Sequence, residues 1–144
     1  MKSRLEIAMQ NDPVMTQRIA ARLATARASL MNNTKWREVL LVLRRSQHLV
    51  TPIHWKFVLS SSSYFRSVPS LHGLSLHPEC LPDELPYPYG PYREIDWIEI
   101  PPSDPTSTPT KHNDLDALTG ELQTLGQLPL TRTESGLRIS GYVW

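Results

Sequence analysis

Apolar residues recur along the chain with two spacings, and each predicts a different kind of element. Met15, Ile19, Leu23, Ala26 and Leu30 fall three or four positions apart, the repeat of one helix face. Asp12 is placed to cap that helix, and Pro13 stands at its first position, where a missing N–H is tolerated. Asn32-Asn33-Thr34 interrupts the pattern and supplies a new cap, after which Trp36, Val39, Leu40 and Leu43 predict a second helix ending near Arg44-Arg45. A third follows Asn113 or Asp114, carries Leu115, Leu118, Leu122 and Leu125, and is stopped by Gly126 and Pro129.

The other spacing is two. Trp55, Phe57 and Leu59 alternate within residues 54–59 and predict a half-buried strand, which residues 64–68 continue or return. Residues 94–100, Glu-Ile-Asp-Trp-Ile-Glu-Ile, are the strongest strand signal, and alternation fails only at Trp97-Ile98. A bulge there turns Ile95, Trp97, Ile98 and Ile100 inward and Glu94, Asp96 and Glu99 outward. The chain ends as a hairpin: residues 130–133, a turn at Glu134-Ser135-Gly136, then residues 137–143 with Leu137, Ile139 and Val143 alternating. The expected fold class is α+β, about three helices packed on a mostly antiparallel sheet of about four strands. Residues 94–100 are its central strand, and Trp36, Trp55, Trp97 and Ile139 belong to its core.

Proline changes this picture in the middle. Eleven of the thirteen prolines lie between Pro52 and Pro109, which argues against continuous helix or central strand there. Residues 60–93 read as a Pro-rich loop region, with 71–92 a stiff extended stretch whose Tyr87, Tyr89 and Tyr92 rings cover something apolar. Residues 101–112 read as a mobile loop, because Pro, Ser and Thr bury little apolar area. The expected organisation is an amino-terminal helical extension, 1–30, followed by a single α+β domain, 31–144.

Composition bounds the class. With 144 residues, 40% hydrophobic and 20% charged, the chain is apolar enough to fold around one core. Its longest aliphatic run, Val39 to Leu43, is far below the roughly 18 residues that span a bilayer, so no membrane helix is expected. Residues 1–10 hold no apolar block resembling a secretory leader, and the single cysteine, Cys80, fits a reducing cytoplasmic setting. The net charge of +1 conceals an asymmetry. Through residue 50 there are nine Lys/Arg and three Asp/Glu, 9 − 3 = +6, and beyond it six against eleven, 6 − 11 = −5. Between Glu79 and Asp104 seven carboxylates face one cation, Arg93.

Three segments carry a likeness: Met31-Asn32-Asn33-Thr34-Lys35-Trp36-Arg37-Glu38, Tyr92-Arg93-Glu94-Ile95-Asp96-Trp97-Ile98-Glu99-Ile100, and Arg138-Ile139-Ser140-Gly141-Tyr142. Together they resemble the start, central strand and closing strand of an uncharacterised family of small bacterial proteins of unknown function, over roughly residues 31–144. The resemblance implies a compact α+β fold and carries no catalytic signature. It also makes Met31 an alternative initiator, upstream of which residues 1–30 form an extension.

Candidate chemistry is sparse. His72, His77 and Cys80 share one loop, and His77-x-x-Cys80 has a zinc-tolerated spacing, but only the distant His48, His54 or His112 can complete four ligands. The same cysteine with His77 is a nucleophile–base pair only if a third group orients it, and an ordinary polar loop explains the residues equally. Glu94, Asp96 and Glu99 on the outer side of a strand read either as acid–base carboxylates or as solvated charges. Arg18, Arg22 and Arg27 flank the first helix as phosphate contacts or as an ordinary solvated face. No cofactor motif is present, and no catalytic residue is assigned.

The expectation is therefore a non-enzymatic, immunity- or antitoxin-like protein that neutralises a protein partner, a basic nuclease toxin being the natural fit. Its acidic surface comprises Asp83, Glu84, Tyr89, Tyr92, Glu94, Asp96 and Glu99, with Trp144 a further anchor. The alternative is a nucleic-acid-associated regulator using Arg18, Arg22, Arg27, Arg44 and Arg45.

Overall fold

A computed structural model describes residues 13–76, 79–82 and 90–144. Helix α1, Pro13–Ala24, leads into a two-residue strand, β1, Ala28–Ser29. Asp12 lies outside the described residues. The amphipathic stripe is shorter than expected, since the helix stops at Ala24 and buries Ile19, leaving Met15 and Leu30 exposed. Helix α2, Asn33–Arg45, matches its sequence signals closely. Asn32 Oδ1 accepts the Lys35 N–H at 2.8 Å, and Trp36, Val39, Leu40 and Leu43 form the buried face.

Strands β2, Ile53–Phe57, and β3, Tyr64–Arg66, form an antiparallel hairpin. A short helix, α3, Leu71–Leu76, follows where an extended loop is expected. Ser70 starts it by accepting the Gly73 N–H on its hydroxyl and the Leu74 N–H on its carbonyl, and Leu74 is fully buried. Strands β4, Cys80–Leu81, and β5, Gly90–Pro91, pair, and a 3-10 turn, Tyr92–Glu94, delivers the chain into β6, Ile95–Ile100.

The segment expected to be a mobile loop folds back as a hairpin of β7, Ser103–Asp104, and β8, Lys111–His112. Asn113 anchors its base: the side chain accepts the Val50 N–H and donates to Thr51 Oγ1 and the Pro101 carbonyl, and the backbone N–H reaches Pro102. Helix α4, Leu115–Gln123, is capped by Asp114 and buries Leu115, Leu118 and Leu122. Strands β9, Leu130–Thr133, β10, Gly136–Ser140, and β11, Tyr142–Val143, complete the chain.

The principal sheet is five-stranded and antiparallel, in the order β3-β2-β6-β10-β9, and the helices make this an α+β fold. Ile53, Trp55, Ile98, Ile100, Leu137 and Ile139 project to one side and join Trp36, Val39, Leu40, Leu74, Leu118 and Leu122 in the core. The last strand is interrupted because Gly141 passes against β6. A Cβ there would lie 2.7 Å from the Ile95 carbonyl oxygen, and the Gly141 N–H bonds to the Asp96 carbonyl. Beyond that crossing the chain leaves the main sheet, and β11 pairs with β1. Among the described residues no helix is long and apolar enough to cross a membrane.

Candidate functional site: the outer face of the sheet

The site originates in a bulge. Along β2, Lys56 and Phe57 are consecutive, but their partners on β6 are Trp97 and Ile95, so Asp96 is the extra residue. The expected bulge at Trp97-Ile98 thus lies one step earlier. Ile95, Ile98 and Ile100 remain inward, as alternation requires, but Trp97 joins Glu99 on the outer face, half-buried. Its expected place in the core is corrected by register: Trp97 pairs with Lys56 and Ser140, both outward.

Cross-strand register then assembles a row that no local spacing announces. Phe65, His54, Glu99, Arg138 and Thr131 stand opposite one another in turn across all five strands. At its centre Glu99 is only 2% exposed, although it lies on the side away from α2, α3 and α4. Arg138 Nε donates to its Oε2 at 2.8 Å, and Thr133 Oγ1 donates to the same oxygen at 3.1 Å. Burial pushes the Glu99 carboxyl up, but hydrogen bonds from Ser135, Arg138 and Thr133 and the Arg138 charge outweigh it and hold the group below its ordinary value. The Arg138 guanidinium also covers the Trp97 ring, 3.9 Å from its centroid.

His54 stacks on Phe65 with ring centroids 3.6 Å apart, and Phe65 is 46% exposed. Burial lowers the His54 pKa; the Glu99 charge opposes this and Arg138 adds to it, so the imidazole is neutral at pH 7. Toward the bulge, Asp96 takes the Trp144 indole N–H at 3.0 Å and faces Lys56 Nζ at 3.7 Å. Arg22 of α1 lies over the Trp144 ring at 3.8 Å, so the first helix and the last residue meet at this end of the face.

These positions revise the acidic surface. Asp83, Glu84 and Tyr89 lie outside the described residues. Tyr92 is fully buried with its ring in the core, so it is not accessible as an anchor, and burial raises its hydroxyl to about 12. Glu94 is half-buried in the 3-10 turn, and burial raises its carboxyl despite Arg93. Glu99 is not the outward solvated charge expected of it, because Arg138 and Thr133 close over it. Asp96 does face outward, but Trp144 and Lys56 occupy its oxygens.

The remaining candidates are dispersed. His72 is exposed on α3, Cys80 is half-buried in β4, and His77 lies outside the described residues. Among the described residues no three His, Cys, Asp or Glu side chains are grouped to hold a metal. Arg18, Arg22, Arg27, Arg44 and Arg45 are exposed. Chemically, Glu99 is a stabilised anion and a poor proton acceptor, and among the described residues its bonds come from Arg138 and Thr133, not from His54. The arrangement presents a fixed aromatic surface whose charges are paired with one another, Arg138 with Glu99 and Lys56 with Asp96. Sequence reasoning missed His54, Trp97 and Arg138 as partners; the available signal was the alternation Leu137-Arg138-Ile139-Ser140, which sends Arg138 outward beside the central strand.

A family model described as a family of unknown function (DUF6678) matches residues 19–144, and the chain belongs to that family. The match begins inside α1 and runs through the last residue. No curated protein and no solved structure matches the chain.

Proposed function

We propose that the protein acts by stoichiometric binding of a protein partner, as immunity and antitoxin proteins do, and carries out no reaction of its own. The observation that supports this most directly is the composition of the outer sheet face. There Arg138 lies over Trp97 and is fixed by the buried Glu99 carboxylate, and His54 stacks on Phe65 in the neighbouring positions of the same cross-strand row. Trp and Arg are the residue types that dominate binding energy at protein interfaces, and rings fixed before contact lose little entropy on binding. Aromatic anchors on this face replace the buried Tyr92 of the sequence-based expectation. The carboxylate excess between Glu79 and Asp104 still favours a basic partner, through long-range steering.

Site-specific photocrosslinking tests the reading. A photoreactive residue at position 65 in the full chain is expected to trap one protein partner in cells of the source, whereas the same residue at exposed Gln47 is not. With that partner purified, Trp97→Ala is expected to weaken binding at least about tenfold, the range of an interface hot spot, with little change in melting temperature. A position-65 adduct sensitive to nuclease, or undiminished affinity in Trp97→Ala, refutes the proposal; the nuclease-sensitive adduct favours nucleic-acid binding through the exposed arginines.

A further inference from the structure

Away from the outer face, a cleft of about 340 Å³ opens where the last turn of α2 meets the start of β2 and the end of β3. Leu43 and Val68, both nearly fully buried, supply apolar walls, and Val50 lies at the surface. Arg44, Lys111 and Ser67 also line it. No carboxylate is among its described lining residues, and neither cation has an ion pair within 4 Å among them. Asp104, opposite Lys111 on the β7–β8 ladder, accepts hydrogen bonds on its carboxylate from the Thr106 N–H and hydroxyl and feels the Lys111 charge, without forming a close ion pair with it. The wall at Val50 and Thr51 is fixed by Asn113, which bonds to both.

From this geometry we infer that the cleft binds a small organic oxyanion, a carboxylate or phosphomonoester carrying an apolar body. The volume matches the lower end of ordinary ligand pockets, roughly 300 Å³ and above. Arg44 and Lys111 bring two positive charges to one concavity, only Lys111 being partly offset by the Asp104 carboxylate, so the cleft attracts an oxyanion. Arg44 offers a planar fork suited to two oxygens, and Lys111 a compact charge. The carboxyl end of α2 is the negative pole of that helix, so the attraction comes from the side chains and must exceed an opposing helix term. Val50, with the edges of Leu43 and Val68, gives a hydrocarbon body some apolar contact within a lining that is largely polar, which favours an organic oxyanion over a bare inorganic one. The inference is independent of the outer face.

The test is titration of the isotope-labelled full chain with octanoate, phenyl phosphate and inorganic phosphate, read by amide chemical shifts and calorimetry. Saturable one-to-one binding of octanoate or phenyl phosphate is expected, with the largest shifts at Val50, Thr51 and Ser67, and weaker binding of inorganic phosphate. Saturation by octanoate alone assigns a carboxylate ligand, and by phenyl phosphate alone a phosphoryl one. Arg44→Gln and Lys111→Gln should each weaken binding about tenfold, while Arg45→Gln, outside the cleft lining, should not. If either variant melts early, the shift map of the unaltered protein decides alone. Absence of saturation by both organic probes, shifts centred elsewhere, or equal weakening by Arg45→Gln overturns the inference.

Discussion

Replacing Arg138 with methionine isolates the interaction on which the outer face depends. The substitution keeps an apolar stem beside Trp97 and removes the guanidinium that bonds Glu99 at 2.8 Å and covers the indole at 3.9 Å. A hydrogen bond to a charged group contributes about 1.5–3 kcal/mol and a partly exposed cation–π contact about 0.5–1 kcal/mol. Breaking a fully buried pair costs about 3–5 kcal/mol. Arg138 is 33% exposed while Glu99 is 2% exposed, so water partly replaces the lost partner. The expected destabilisation is about 2–3 kcal/mol, or about 5–10 °C in melting temperature for a chain of this size.

The same variant has a distinctive pH signature. In the native protein the Glu99 carboxyl lies below its ordinary value, so its contribution to stability is present above the unfolded-state value. It is lost as pH falls through the lower folded value. In Arg138→Met, burial is opposed only by the Thr133 and Ser135 hydroxyls, so the carboxyl rises and protonation relieves the uncompensated charge. The gap between native and variant proteins should therefore shrink from pH 7 to about pH 4, just below the ordinary glutamate value. Urea unfolding followed by tryptophan fluorescence measures it, and Glu99→Gln with the double variant completes the cycle. A cost below about 0.5 kcal/mol at pH 7, the scale of an ordinary surface substitution, or a gap that does not change with pH, refutes the account of Glu99.

Two further predictions concern the fold. Gly141→Ala would place a Cβ 2.7 Å from the Ile95 carbonyl oxygen and should cost at least about 3 kcal/mol, whereas Gly120→Ala, with open space on α4, should stabilise by about 1 kcal/mol; thermal melts of both compare them directly. Tyr92→Phe removes a buried hydroxyl without a hydrogen-bond partner among the described residues, so the melting temperature should be unchanged or raised, and spectrophotometric titration should lose a phenol ionising near about 12.

Local signals read well from the amino acids wherever one element's own periodicity decided the outcome. Asn32, Trp36, Val39, Leu40 and Leu43 specify α2, and Asp114, Leu115, Leu118 and Leu122 specify α4, because cap chemistry and the apolar stripe agree there. Residues 95–100 were legible as a strand from their run of apolar residues, though not the place of their bulge. What escaped was set between elements. Glu94, Asp96 and Glu99 look alike along the chain, but the bulge and the β2 and β10 registers give them three different environments. Helix α3 was hidden by its length: six residues present too little periodicity to stand out from the prolines around it. The Arg138–Glu99 pair joins residues far apart in the chain, so no window on either one contains the other.

The strand order β3-β2-β6-β10-β9 also orders events during synthesis. When β6 emerges, β2 and β3 are already available, and a three-stranded half-sheet can form with one long edge open. That edge carries Ile98 and Ile100, together with the Glu99 carboxylate whose arginine has not yet been made. With Asp96, Glu99 places two carboxylates on that edge, and charges on an open edge disfavour pairing with other chains. The enclosure of Glu99 thus depends on the last strands made: it is complete only once Arg138 of β10 and Thr133 of β9 stand beside it.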